Sequence, residues 1–455
     1  MLNIIIVFSL LIIYAIICWR RVDIGLSLVV FAMPLYLLRF NLGPLPSTFL
    51  ELMVLVLTLI FVVKKILNKE IKQTVANWRE LLKKWWLPIL LFLLAAIISV
   101  FVSADFKHAL GRFRAYFVEP ILVFLILLDV LRSKKQLNLI LWALGLSSLV
   151  ISVYAIIQYI FNINIPVDYN LPNLKRATSV FDYPNAIGLY VAPIVVLFSG
   201  LIVGMKQENN KTRKQIVSIF VLLFYCLVVL AGVIAVVLAV SKGAIFGILI
   251  GLFFMLMFTK FRWWVVGLAI VSIISILIVP VTSKKVVPII TFQETSGDVR
   301  LVLWEGTWNL IKANPIFGAG LAGFQKAYPN YKLNKHTEIL VYPHNIILNF
   351  WVETGVLGLI SFVWILVLFF WQGFEKNKKT KEQKNKQITN NKLQTGMGEL
   401  EIGNWKLEIA LMGAMVCIIM HGIVDVPYFK NDLSILFWLI IALMIITKLK
   451  TEKEN

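Results

Sequence analysis

The chain has 455 residues, 60 % of them hydrophobic, and a mean hydropathy of +0.85, well beyond what a water-soluble core of this length needs. Its formal charge is +20, but the basic residues stand in short clusters between apolar runs. That pattern excludes a nucleic-acid-binding face and points instead to membrane topology and contact with anionic lipid.

The first apolar run, residues 3–19, has no basic residue before it and carries Arg20 and Arg21 after it, the reverse of a signal peptide. It is expected to remain as a span. Further candidate spans follow at 22–39, 48–63, 86–104, 114–131, 137–160, 185–205, 215–240, 243–259, 263–280, 343–371, 405–424 and 432–448, each about long enough to cross a hydrocarbon core of roughly 30 Å. The break at Ser241, Lys242 and Gly243 divides one long apolar stretch into two helices. Cys18, Cys226 and Cys417 each fall inside an apolar run without metal-ligand spacing and are expected as buried thiols with no disulfide.

The predicted fold is an all-α integral membrane protein, a polytopic bundle of about 12–13 transmembrane helices with one large extracytoplasmic loop containing short helices. Residues 1–280 form the N-terminal transmembrane helices, 281–342 the large loop, and 343–371 a further transmembrane helix. Residues 372–404 read as a flexible basic cytoplasmic linker, because this Lys- and Asn-rich composition cannot bury a core. Residues 405–455 supply the C-terminal transmembrane helices and a basic tail. Placing Arg20 and Arg21 inside brings Lys64/Lys65, Arg132/Lys134/Lys135, Lys206 to Lys214, Lys260/Arg262 and Lys376 to Lys392 inside as well. The N-terminus is then out and the C-terminus in.

In this orientation His108, His336, His344 and His421 lie in outer loops or toward outer helix ends. Within the large loop, Asp298 is placed to cap a helix from about Val299, with Leu301, Trp304, Trp308 and Ile311 on the face that meets the membrane domain. Asn314-Pro315 and Gly318, Gly320 and Gly323 end that helix in a turn-rich stretch. The spacing is not a dinucleotide fingerprint, since no strand precedes it. Several residues have both a plain and a chemical reading. Arg300 reads equally as a solvated helix residue, and His344, beside Pro343, equally as an interfacial cap. Glu353, about two turns into a span, is costly unless paired or functional. His421 and Asp425 share a helix face and can either bond one another or line a site.

The succession Arg300-x-x-x-Trp304, Asn314-Pro315-x-x-Gly318-x-Gly320, His344-Asn345-x-x-Leu348 and Glu353-x-Gly355-x-x-Gly358 resembles the O-antigen ligase and O-antigen polymerase-related membrane glycosyltransferases. Arg176 to Phe181, Pro184-Asn185 and Ser241-Lys242-Gly243 are also similar to the family, although many members carry Ser-Arg where this chain has Ser241-Lys242. A lysine there is a point charge without the planar fork that binds phosphate bidentately.

The resemblance implies a cytoplasmic-membrane enzyme that transfers a glycan from a polyprenyl-diphosphate donor to a glycan, lipid or protein acceptor on the extracytoplasmic face. In that reading His344 is the general base and Arg300, Arg176 and Lys242 hold the diphosphate. Asn345, Glu353, His421, Asp425 and Trp304 support them. No cofactor is expected, and no metal, since there is no Asp-x-Asp or clustered carboxylate. A polymerase of repeat units shares the same chemistry. A lipid-linked glycan transporter is the reading of another class, disfavoured by the lack of inverted halves and by the single large polar loop.

Overall fold

A computed structural model describes residues 4–42, 45–171, 174–205, 212–278, 284, 286–289, 291–335, 340–390 and 404–452. The described chain is overwhelmingly helical, with two short antiparallel hairpins at 39–48 and 170–175. Its main helices are α1 (Ile4–Arg20), α2 (Val22–Phe31), α3 (Phe49–Leu67), α4 (Ile71–Leu81), α5 (Trp86–Val102), α6 (Phe106–Phe113), α7 (Glu119–Val130), α8 (Lys134–Phe161), α9 (Asn185–Gly204), α10 (Thr212–Leu238), α11 (Lys242–Leu256), α12 (Arg262–Ile278), α13 (Thr295–Ala313), α14 (Phe324–Ala327), α15 (Ile346–Asn390), α16 (Asn404–Gly422) and α17 (Asn431–Glu452).

Helix ends follow local chemistry. Thr48 and Glu51 form a capping box that starts α3, and Ser133 and Gln136 form another that starts α8, each satisfying two amides that lack an intrahelical partner. Asn162 ends α8 in the left-handed region, with φ 56°. The chain turns between α10 and α11 at Val240, φ 51°.

The apolar runs are helical, but among the described residues four helices are by themselves long and apolar enough to span a membrane: Lys134–Phe161, Asn185–Gly204, Ile219–Leu238 and Ile346–Glu375. A fifth arises if α4 and α5, bent by 98°, count as one. The other apolar helices are shorter or more highly charged. In the run predicted as span 114–131 the reason is visible: Arg114 and Glu119 sit inside it, around a π-turn at 114–118. Arg114 Nη2 bonds Glu51 at 2.7 Å, and Arg114 Nε lies 3.5 Å from Glu119. Asn431 donates to Glu119 at 3.4 Å. This buried polar set ties α3, α7 and α17 together where a simple span would carry only apolar groups.

The core is built on α9, α16 and α17, whose described side chains are almost all buried. Helix α16 packs on α9 and α11. Small residues allow the approach: a Cβ on Gly251 would stand 2.8 Å from the carbonyl of Gly413. Cys18 and Cys417 are buried, whereas Cys226 is exposed. The expectation of three buried thiols therefore fails at Cys226, which shares the outward face of α10 with Leu222, Leu230 and Val233.

The large loop is not merely solvated. Helix α13 begins at Thr295 after Glu294, so Asp298 lies in its first turn instead of capping it and pairs with Lys335 at 2.7 Å. Its buried side chains are Val302, Leu303, Thr307, Leu310 and Ile311, with Gly297 and Gly306 also buried, while Leu301 and Trp308 are exposed. The packed stripe is thus rotated from the predicted face, and only Ile311 of the predicted residues is buried in it. Residues 281–283, 285, 290 and 336–339, including His336, lie outside the described residues.

After α13 the chain tucks between α5 and a break in α15. At Gly355 (φ 69°, ψ −179°) α15 is interrupted, which frees the Val352 carbonyl and the Val356 amide. The loop takes both: Ala319 N donates to Val352 O at 2.7 Å, and Val356 N to Ile316 O at 3.0 Å. Leu321 N donates to Ser99 O at 3.1 Å. A Cβ on Gly355 would lie 2.3 Å from the Ile316 carbonyl, in a backbone region that disfavours side chains. Gly355→Ala is expected to cost about 1–3 kcal/mol, read as a fall of the thermal midpoint in detergent. An unchanged midpoint would mean that the loop and the helix are not held together here.

Beyond Glu375 the backbone of α15 remains helical to Asn390, where a linker was expected. Lys, Gln and Glu are good helix formers once a helix is already nucleated. Residues 391–403 lie outside the described residues.

Candidate functional site at one end of the bundle

Four chain breaks meet at one end of the molecule: 176–184 before α9, 239–241 before α11, 343–345 before α15, and 423–430 between α16 and α17. Each break brings a residue singled out in the sequence. Helices α9, α11 and α15 all begin here, so their N-terminal amides and positive dipole ends face the same region.

The segment 176–181 is held from below by Gln158, buried in α8. Its carbonyl oxygen accepts the amides of Thr178 and Ser179, both at 2.8 Å, and its amide group donates to Thr178 Oγ1 and Ser179 O. Arg176 then lies across the end of α10. Its Nε donates to Ala239 O at 2.9 Å, and its Nη2 to Asn185 Oδ1 at 3.0 Å and Val240 O at 3.4 Å. Arg300, on α13, reaches the other break, with Nε donating to Val424 O at 2.9 Å and Nη1 to its own helix at Ser296 O. Carbonyls thus fix both guanidinium groups, leaving Arg176 Nη1 and Arg300 Nη2 without a protein acceptor among the described residues. Burial and, after it, the charge of Arg300 pull the Arg176 guanidinium below its usual value.

His344 has φ 49°, a strained conformation for a non-glycine residue and one that clusters at functional sites. Its Nδ1 lies 3.3 Å from Asp425 Oδ1. Asp425, 1 % exposed, also accepts Val426 N at 2.9 Å and Asn185 Nδ2 at 3.4 Å. Burial alone would raise the Asp425 carboxyl. The His344 hydrogen bond, the charges of His344 and His421 and the Val426 amide outweigh it and hold the group well below the usual carboxylate range. With ionised Asp425 as acceptor, the hydrogen bond holds a proton on Nδ1 of His344, and Nε2 is the nitrogen available to exchange a proton with a ligand. His344 is 21 % exposed, so the ring remains within reach of a ligand.

Two neighbours position this histidine. Trp304 Nε1 donates to Pro343 O at 3.0 Å. Asn345 caps α15, its Oδ1 accepting Ile347 N and Leu348 N, while its Nδ2 donates to Ile423 O at 3.0 Å. His421 is buried against Gly243. Lys242 is ion-paired with Glu294, at the start of α13.

Glu353 lies apart from this group. It is 1 % exposed, pairs with Arg112 Nη1 at 3.2 Å and accepts Ala322 N at 2.7 Å, so it braces the glycine loop to α6. Arg112, Gln158 and Asn185 are the residues that sequence reasoning left unassigned. The signal for Arg112 was a cation bordering an apolar run, opposite in sign to the carboxylate inside another. A cleft of about 270 Å³ at the other end of α9 and α11, lined by Gly204, Met255, Phe258, Lys260 and Ile409, holds none of the candidate residues. Among the described residues no three His, Cys, Asp or Glu side chains gather as a metal-binding group.

Residues 226–363 match the O-antigen ligase family model. That segment is similar to the O-antigen ligase family, as the succession from Arg300 to Gly358 implied. No curated protein matches the chain. The O-antigen ligase match contains Lys242, Arg300, Trp304, His344, Asn345 and Glu353. It does not reach Arg176, His421 or Asp425, which join the same end of the bundle through the packing of α9, α16 and the break after α16.

Proposed function

We propose that the protein is a polytopic cytoplasmic-membrane glycosyltransferase that moves a glycan from a polyprenyl-diphosphate donor to an acceptor hydroxyl on the extracytoplasmic face, with its N-terminus out and C-terminus in. The observation that carries this reading is the meeting of two carbonyl-tethered arginines, three helix N-termini and the His344–Asp425 pair at one end of an apolar bundle. Arg300 Nη2 and Arg176 Nη1 bind the diphosphate, assisted by the helix dipoles. The acceptor hydroxyl loses its proton to His344 Nε2 as its oxygen bonds the anomeric carbon. The bond from that carbon to the diphosphate oxygen breaks, and the electron pair leaves with the diphosphate onto the arginines. Asp425 stabilises the imidazolium so formed. In this reading the arginines supply the charge that a divalent cation otherwise would, and the transfer is metal-independent.

The test is binding of undecaprenyl diphosphate to the protein in lipid nanodiscs, by tryptophan fluorescence. Arg300→Ala and Arg176→Ala are expected to weaken binding at least tenfold, the loss of a charge-assisted pair of about 1.5–3 kcal/mol. Binding unchanged in both variants would sink the assignment. Lys242 acts through its charge beside Glu294, so Lys242→Arg is expected to keep transfer within about twofold of wild type. A dead arginine variant would mean that the site requires the smaller point charge.

The same geometry serves a polymerase of repeat units. Surface glycan in a deletion strain separates the two: loss of chain extension marks a polymerase, and accumulation of full-length lipid-linked chains marks a ligase.

A further inference from the structure

A second group of polar residues adjoins His344, and the transfer chemistry above leaves it unused. Lys430, in the break between α16 and α17, places its ammonium 4.2 Å from the centre of the Tyr183 ring. The Tyr183 hydroxyl is 2.9 Å from that of Tyr342, and the Tyr342 ring lies 4.8 Å from the His344 ring. A continuous path of contacts therefore runs from Lys430 to the proposed base. Next to Lys430, Asp432 is 1 % exposed and its Oδ1 has no hydrogen-bond partner. A buried carboxylate oxygen is rarely left in that state, because the lost hydration costs about 1–3 kcal/mol or more.

The charges around this group differ from those around Arg176 and Arg300. Lys430 feels Asp432, Asp425 and Asp182 as its acidic neighbours, and among the described residues no carboxylate approaches it within ion-pair distance. Three carboxylates against two cations, Lys430 and Arg39, leave the surroundings net negative, which does not favour a diphosphate. It does suit a neutral polyol, whose hydroxyls donate to carboxylates and accept from an ammonium. The apolar C–H edges of such a ring match tyrosine rings.

We propose that Lys430, Asp432, Tyr183 and Tyr342 form a pyranose-binding subsite that holds the acceptor sugar with one hydroxyl toward His344. This inference rests on the transfer reading and adds the chemical class of the acceptor and its location. Asp432 Oδ1 accepts a sugar hydroxyl, Lys430 donates to a second, and Tyr342 carries the ring edge to His344. Tyr183 and Tyr342 remain protonated donors, since burial raises both phenols well above the usual range.

The experiment is saturation-transfer NMR on the full chain in nanodiscs, with methyl glucopyranoside, methyl galactopyranoside and methyl N-acetylglucosaminide as probes. Wild type is expected to saturate the ring protons of at least one probe. Lys430→Met and Tyr183→Leu are expected to reduce that signal at least fivefold, Lys430→Arg to restore most of it, and Arg300→Ala to keep it. Binding of undecaprenyl diphosphate, retained in Lys430→Met, serves as the control for folding. Absence of saturation with every probe, or equal signals in wild type and Lys430→Met, overturns the subsite while leaving the diphosphate site standing. Failure of wild type to bind undecaprenyl diphosphate, with the saccharide signal present, instead overturns the transfer reading and leaves a saccharide site without its donor.

Discussion

His344→Ala is expected to lower glycan transfer by about 10²–10⁴-fold, the usual contribution of a positioned general base. The variant should still insert and should still bind undecaprenyl diphosphate, because the arginines are anchored to Ala239, Val240 and Val424 carbonyls and not to the imidazole. The split between retained binding and lost turnover separates a base from a structural residue. Asp425→Asn is expected to fall short of that loss, since the amide can still bond the ring but favours the wrong tautomer and cannot offset the imidazolium. Wild-type transfer by His344→Ala would remove His344 from the chemistry, and lost diphosphate binding in the same variant would make it a structural residue instead.

The second large effect is on stability. Glu353→Ala leaves Arg112 without its partner and the Ala322 amide without its acceptor, both in largely water-free surroundings. Breaking such a pair is expected to cost about 3–5 kcal/mol, seen as a large fall of the thermal midpoint in detergent and low yield in membranes. The double variant Arg112→Met, Glu353→Met should recover part of the loss, because no uncompensated charge remains. If Glu353→Ala melts like wild type and loses transfer, the carboxylate serves the reaction and not the brace.

Helix existence was legible in the chain because apolar runs of near-constant length are visible without any tertiary knowledge. Span number was less so. A run such as 114–131 reads as one span until the ion pairs of Arg114 with Glu119 and with Glu51 are seen, and Glu51 lies 63 residues away in sequence. The packed face of α13 was misread for a related reason. Helical spacing alone offers several apolar stripes, and the one with Leu303 and Leu310 is chosen by what lies against it, Tyr328, Val352 and Phe324. Within the candidate site, His344, Arg300, Arg176 and Asp425 were identifiable as residue types at helix boundaries. Asn185, which bonds both Arg176 and Asp425, was quoted for its place in a motif but had no role until the fold brought its two partners together. The function of Glu353 changed most. A lone carboxylate in a span signals cost, and whether chemistry or a brace offsets that cost depends on Arg112, 241 residues away.

The interruption of α15 at Gly355 also bears on how a substrate enters. The loop at 316–322 supplies the hydrogen-bond partners that the broken helix lacks, so swinging it aside would strand the Val352 carbonyl and the Val356 amide where no water replaces them. That loop cannot act as a gate. Helix α13, by contrast, meets the site through the Arg300 and Trp304 side chains and the Lys242–Glu294 pair, none of which completes its backbone ladder. A lipid-borne donor arriving sideways from the bilayer would displace α13 more easily than the glycine loop, and the first residue to yield would be the exposed ion pair at its start.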